Sequence, residues 1–149
     1  YFVDCATRKL HWLDDGETTP AGFELPSMGA GIVLTEGDDI IVVLDDGLYL
    51  CAPDEQRVEL LSPFPAELGG RGNDACADLD GNIITGKLNL APGDGSSWQY
   101  SHTRGWTLLD PDISNTNGPA ALEIDGALLV IDGLEQSGRL EPRARLADL

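Results

Sequence analysis

The sequence predicts an all-β chain forming about half of a six-bladed β-propeller, with two complete blades and a partial blade at each end. Three observations point there. Short apolar runs recur between turn signals, as in Ile40-Ile41-Val42-Val43-Leu44, then Asp45-Asp46-Gly47, then Leu48-Tyr49-Leu50. No stretch sustains a 3.6-residue periodicity between helix caps. Three segments align on turn glycines, Gly37, Gly81 and Gly126, which stand 44 and 45 residues apart. A repeat of about 40–50 residues with four short strands per unit is the pattern of a propeller blade.

The elements follow from that register. Tyr1-Phe2-Val3-Asp4 matches the second half of a repeat, so residues 1–14 read as the outer hairpin of a truncated blade. Residues 28–61 read as a blade, with Asp-Gly at 46–47 marking a hairpin because glycine tolerates positive φ. Residues 73–110 read as the next blade. Within it, Ser96–Tyr100 pairs with Trp106–Leu109 across His102-Thr103-Arg104-Gly105. Residues 117–132 begin a further blade. The stretch Glu135–Arg143 breaks the pattern and reads as a loop or irregular end. Blades bury their faces on neighbouring blades, and two full and two partial units cannot close a ring.

Composition narrows the partners. The 149 residues carry 26 acidic and 9 basic side chains, a formal charge of −17. That field repels nucleic acid and anionic membrane, and suits cations, neutral sugars or a salty habitat. Its simplest reading is a solvated acidic surface. No apolar run approaches the roughly 18 residues of a membrane helix. Cys5, Cys51 and Cys76 have no metal-finger spacing and an odd count, and read as small buried side chains. Sparse cysteines point to the cytoplasm. No protein partner is predicted. Residue 1 is Tyr and opens a strand-like run, so the expectation is that the natural chain starts upstream, with any signal peptide out of view.

In a propeller, polar residues at equivalent points of successive repeats converge near the central channel. Two polar stretches precede repeat strands: Arg71-Gly72-Asn73-Asp74 and Ser114-Asn115-Thr116-Asn117-Gly118-Pro119. Asn73 and Asn117 are 44 residues apart and read as the same place in successive blades. Asparagine carbonyls are hard neutral ligands for Ca²⁺ or Mg²⁺ and are tolerated by Zn²⁺. The alternative is that Asn-Asp and Asn-Gly are turn residues only. Asp78-Leu79-Asp80-Gly81-Asn82 reads as a hairpin turn and not a calcium loop, because strands flank it and no helix does. His11 and His102 read as structural or exposed, and Trp12, Trp98 and Trp106 as blade packing.

Arg71-x-Asn73-Asp74, the Asp78-x-Asp80-Gly81 turn and a strand running to Gly86 resemble the gluconolactonase/regucalcin family pattern. Ile113-Ser114 with Asn117-Gly118 is similar to the family's second asparagine motif. Asp45–Leu50, and Tyr1–Asp4 with Arg8 and His11, resemble its earlier blades, so the likeness covers about residues 1–132. The resemblance implies a six-bladed propeller holding one divalent ion, Ca²⁺ or Zn²⁺, with Mg²⁺ or Mn²⁺ as further options. It implies hydrolysis of a small-molecule sugar lactone by the full-length protein. Asn117 then becomes a metal ligand, and Arg71 and Asn73 become substrate contacts, with Asn73 near the metal. The family's ligand Glu falls before Tyr1 and its ligand Asp, the usual general base, beyond Leu149, so residues 1–149 alone are expected to be inactive.

Thr116 stands inserted between Asn115 and Asn117, and the glycine after Asn117 favours it as the ligand. Gly86-Lys87 replaces the Gly-Thr of many members, and Ala91 falls near a substrate Glu of some, with Asn89 the nearest polar side chain; the lactone is left open. Two other readings stand beside this one: a non-catalytic propeller that binds a ligand, and a propeller esterase or phosphotriesterase with a similar metal channel.

Overall fold

In a computed structural model of the chain, alternating side chains and close-spaced turn residues give, among the described residues, fourteen strands and one turn of 3₁₀ helix, Ala66–Leu68. The structure describes residues 1–68, 70–88, 95–113, 115–124, 127–136 and 139–147. Asn89, Ala91, Ser114 and Gly126, named above, lie outside them. The strands form all-antiparallel up-and-down sheets in two units, Tyr1–Phe64 and Pro65–Leu149.

In the first unit, β1 (Phe2–Asp4), β2 (Lys9–Trp12) and β3 (Ala21–Glu24) make a three-stranded sheet. Beside them β4 (Gly31–Leu34), β5 (Ile40–Val43), β6 (Gly47–Ala52) and β7 (Arg57–Pro63) make a four-stranded meander, the blade unit of a propeller. One apolar core joins Leu10, Phe23 and Leu25 to Ile40, Val42, Leu44 and Cys51, with Val3, Trp12, Ile32, Tyr49 and Val58 packed on it. Burial of this kind dominates the stability of so small a sheet pair.

The hairpin expected over 1–14 gains a third strand, β3, whose short Ala-Gly-Phe-Glu run offers a single large inward side chain, Phe23. Gly22 is needed there because a Cβ would come within 2.5 Å of the Leu10 carbonyl. At the Asp46-Gly47 hairpin the glycine serves space and not positive φ: a Cβ would meet the Ser62 carbonyl at 2.5 Å. Among non-glycine residues, positive φ falls on Arg8 (54°) and Gln56 (51°), in the turns before β2 and β7.

The three cysteines form no disulfide among the described residues, and they are not uniformly buried. Cys51 is in the core, Cys76 is half-buried and Cys5 is exposed, its Sγ donating to the Gly29 carbonyl at 2.9 Å. Cys5 follows β1 in a turn, so no sheet covers it. Burial pushes the Cys51 thiol up to about 11.

In the second unit, β8 (Arg71–Ala77), β9 (Ile83–Leu88), β10 (Gly95–Ser101) and β11 (Gly105–Ile113) form the second four-stranded meander. Its bounds lie two residues outside 73–110 at the start and three at the end. The β10–β11 hairpin has the expected pairing, Tyr100 opposite Trp106 and Ser101 opposite Gly105, whose φ of +76° turns the chain. Trp98 is buried and donates from Nε1 to Ser96 Oγ at 2.8 Å.

A three-stranded sheet follows, with β12 (Asn117–Ile124), β13 (Ala127–Gln136) and β14 (Arg139–Ala147) in that order. The irregular end expected over 135–143 is therefore corrected. β14 pairs with β13 from Leu128/Ala147 to Gln136/Arg139. Its sequence alternates charge and apolar residues, Arg139, Glu141, Arg143 and Arg145 against Leu140, Pro142, Ala144 and Leu146. Pro142 lies in β14, an edge strand of its sheet, the kind of position where a strand tolerates proline. Among the described residues, no helix is long and apolar enough to cross a membrane.

Candidate functional site

The site is built on the β8–β9 hairpin, and its turn is rigid. Asp78 is buried, and its carboxylate accepts from the backbone N–H of Asp80 and Asn82 and from the side-chain amides of Asn82 (2.9 Å) and Gln99 (2.7 Å). Gly81 supplies φ +77°. This fits the reading of residues 78–82 as a turn, because the acceptors of Asp78 are consumed by the turn itself and by Gln99 of the adjoining strand β10.

Toward the other end of β8 the ladder slips. Gly72 pairs with Lys87 and Ala75 with Thr85, so Asn73 and Asp74 together face the single residue Gly86. Such a β-bulge re-aims the side chains it carries. Thr85 Oγ1 donates to the Asp74 carbonyl at 3.0 Å and steadies the bulge from the opposite strand.

The bulge meets the second polar motif directly. Asn73 Nδ2 donates to Asn115 Oδ1 at 3.2 Å and to the Thr116 carbonyl at 2.6 Å. The Gly118 N–H donates to Asp74 Oδ2 at 2.9 Å. Three hydrogen bonds therefore stitch residues 73–74 to residues 115–118 across 42 to 44 positions of sequence. Thr116 lies between them and is fully buried. Its Oγ1 donates to the Ser96 carbonyl at 3.3 Å and its N–H to the Lys87 carbonyl at 3.4 Å. A Cβ on Gly86 would collide with Thr116 Oγ1 and the Ser96 carbonyl. Gly86 is thus the seat on which Thr116 rests.

Of the residues singled out from sequence, Arg71 opens β8 opposite Leu88 and is half-buried. Asn73 is half-buried in the bulge, and Asn117 opens β12, exposed and opposite Gly133. Asn73 and Asn117 do not occupy equivalent places. The matching bulge in β12 holds Gly118 and Pro119 against one residue, between the pairs Asn117/Gly133 and Ala120/Ile131. Asn117 is thus the counterpart of Gly72, and Asn73 that of Gly118. Strand pairing follows the 45-residue spacing of Gly81 and Gly126, not the 44-residue spacing of the asparagines. Sequence reading missed Asn115, Thr116 and Asp74 as parts of one hydrogen-bonded assembly; the signal available was their place inside the two motifs.

A family model described as "SMP-30/Gluconolactonase/LRE-like region" matches residues 1–137. The chain belongs to this family. Comparison with curated protein sequences gives no match. Among solved structures, this family member is similar to regucalcin, described as a calcium-binding protein, from Agrobacterium tumefaciens strain C58. The TM-score is 0.72 at 22% identity, covering 97% of this chain and 53% of that one. It is also similar to a luciferin-regenerating enzyme, with a TM-score of 0.62 at 17% identity, covering 97% and 58%. The chain thus spans little more than half the length of the structures it matches, and at these identities the likeness establishes the fold, a β-propeller.

The donors that the site offers are oxygens of amides and backbone carbonyls together with the Asp74 carboxylate, which by type fit a hard divalent cation and not a thiolate-bound metal. No group of three His, Cys, Asp or Glu side chains able to hold a metal exists among the described residues. A set with a single carboxylate contributes coordination but little of the charge that holds a divalent ion against water.

Proposed function

We propose that this chain carries one side of the active site of a metal-dependent sugar-lactone hydrolase of the gluconolactonase kind. The observation that carries the reading is the direct bonding of Asn73-Asp74 to Asn115–Gly118, which makes the two motifs one polar site. Family membership supports a lactonase-like hydrolase in general terms, and the calcium-binding description of the regucalcin structure supports a divalent ion.

In this reading Asn117 offers its side-chain carbonyl to the ion. When bound, the ion supplies Lewis-acid polarisation of a lactone carbonyl and a more acidic water. Arg71, always cationic, donates in a planar fork to sugar hydroxyls or to the carboxylate that forms on ring opening. Asn73 accepts from the substrate. The hydrogen bonds within the site hold the Asn73 amide in place before substrate arrives, so little ordering of that group is left for binding to accomplish.

The test is hydrolysis of gluconolactone and related lactones by the full-length protein, with and without a chelator. Turnover abolished by chelator and restored by Ca²⁺ or Zn²⁺ supports the reading. No metal-dependent hydrolysis of any lactone overturns it. Binding of a sugar without turnover would leave a non-catalytic propeller, and turnover of an aryl ester or phosphotriester would change the substrate class.

A further inference from the structure

We propose that Asn115 and the Thr116 backbone form a positioning device that fixes the Asn73 side-chain amide, so that Asn73 meets its ligand only as an acceptor, through Oδ1. The inference rests on the functional reading above for the identity of the ligand, but its geometric part stands on hydrogen bonds alone.

A backbone carbonyl can only accept, so the Thr116 oxygen, 2.6 Å from the Asn73 amide, must face its NH₂ and not its oxygen. An amide flipped the other way would set two lone-pair-bearing oxygens against each other. With one amide hydrogen spent on Thr116, the second points to Asn115 Oδ1 at 3.2 Å. Because Asn73 now supplies the hydrogen, Asn115 must present its own oxygen. Both donors of Asn73 are then consumed, and Oδ1 is the atom that remains.

The device is anchored where it must not move. Thr116 is completely buried, held by its hydroxyl to Ser96 and by its N–H to Lys87, and seated against Gly86. The isolated bridge between Leu88 and Asn115 ties the preceding residue to the same sheet. The β8 bulge brings Asn73 up to this anchor. A half-buried asparagine on a bulge would otherwise be free to flip and to offer either an acceptor or a donor to a ligand. Fixing it makes the site selective for electron-pair acceptors, namely a hydroxyl hydrogen of a polyol or a hard cation. It turns away carboxylate or phosphate groups at that point.

The test uses the full-length protein and two independent readouts. The first is the side-chain NH₂ resonance pair of Asn73 in ¹H–¹⁵N spectra without ligand. In Asn115→Ala one of the two protons should lose its hydrogen-bonded shift and exchange faster with solvent, whereas Asn115→Asp, which keeps an oxygen acceptor, should preserve both. The second is lactone hydrolysis at saturating Ca²⁺. Asn115→Ala should raise KM about fivefold, the scale of one lost neutral hydrogen bond, with kcat changed by less than about twofold. Asn115→Asp should return KM to the wild-type value, and all three proteins should melt within a few degrees of one another. If the Asn73 NH₂ pair is unchanged in Asn115→Ala, the positioning is overturned, whatever the activity. If the wild-type protein hydrolyses no lactone, the functional reading fails while the NH₂ shifts still decide the positioning. If the NH₂ pair changes but KM does not, the orientation is upheld and its role in recognition is overturned.

Discussion

In the proposed site Asn117 and Arg71 would offer opposite chemistries, a neutral carbonyl and a fixed positive charge, and their removal should separate in kinetics. Asn117→Ala deletes a proposed ligand oxygen, so metal affinity should fall and kcat should drop by about 10²-fold, the scale of a key electrostatic group. Arg71→Ala should mainly raise KM. Calorimetric titration with Ca²⁺ and steady-state kinetics on both variants check this, and unchanged metal content in Asn117→Ala would remove it from the ligand set. Thiol chemistry separates as cleanly. Cys51 is buried with its thiol raised to about 11, so at pH 8 it stays protonated and inaccessible. Exposed Cys5 should alkylate first and Cys51 only on unfolding, as mass spectrometry of iodoacetamide-treated protein would show. Ser97 Oγ is the buried side-chain oxygen left without a partner among the described residues. Ser97→Ala removes an unsatisfied hydroxyl and should stabilise by about 1 kcal/mol in chemical denaturation.

At the scale of elements, the join between β9 and the segment leading into β12 depends on one missing methyl group. Gly86 faces the bulge of β8 on one side and Thr116 on the other. Gly86→Ala should cost about 2 kcal/mol, within the range for overpacking a tight site. Adding Thr116→Ala should recover only part of that loss, because the Ser96 carbonyl obstructs the same methyl and is backbone. Full recovery in the double variant would mean that the hydroxyl alone sets the fit. Denaturant melts of the single and double variants read both outcomes, and the bulge at Asn73–Asp74 should lose its bonds to Asn115 and Thr116 in step.

For the molecule as a whole, charge sets the response to salt. With 26 acidic and 9 basic side chains the chain repels itself at pH 7. Arg57, close to Asp39, Glu55 and Glu59, neutralises one local cluster, but exposed pairs of this kind contribute little. Screening should therefore stabilise. Raising NaCl from about 10 mM to about 500 mM shortens the Debye length from about 30 Å to a few ångström and should raise Tm by several degrees. A fall in Tm over that range would show that favourable pairs outweigh repulsion.

The sequence by itself determined what depends on neighbours in the chain. Alternation and turn residues specify strands such as Ile40–Val43, and the Asp78–Gly81 and His102–Gly105 hairpins, because each is closed by bonds spanning only a few positions. The blade repeat was visible for the same reason, since a turn glycine marks every copy. β14 was hidden by its proline and its charges, although its alternation was present, because only an edge position makes Pro142 acceptable in a strand. The site was legible as two motifs and not as one assembly. That Asn73 bonds to Asn115 and Thr116, that Asn117 and not Gly118 precedes the second bulge, and that Gly86 exists to admit Thr116 were decided only by tertiary structure. These facts rest on which of two adjacent residues a bulge absorbs and on contacts between segments more than twenty residues apart, and local patterning carries no record of either.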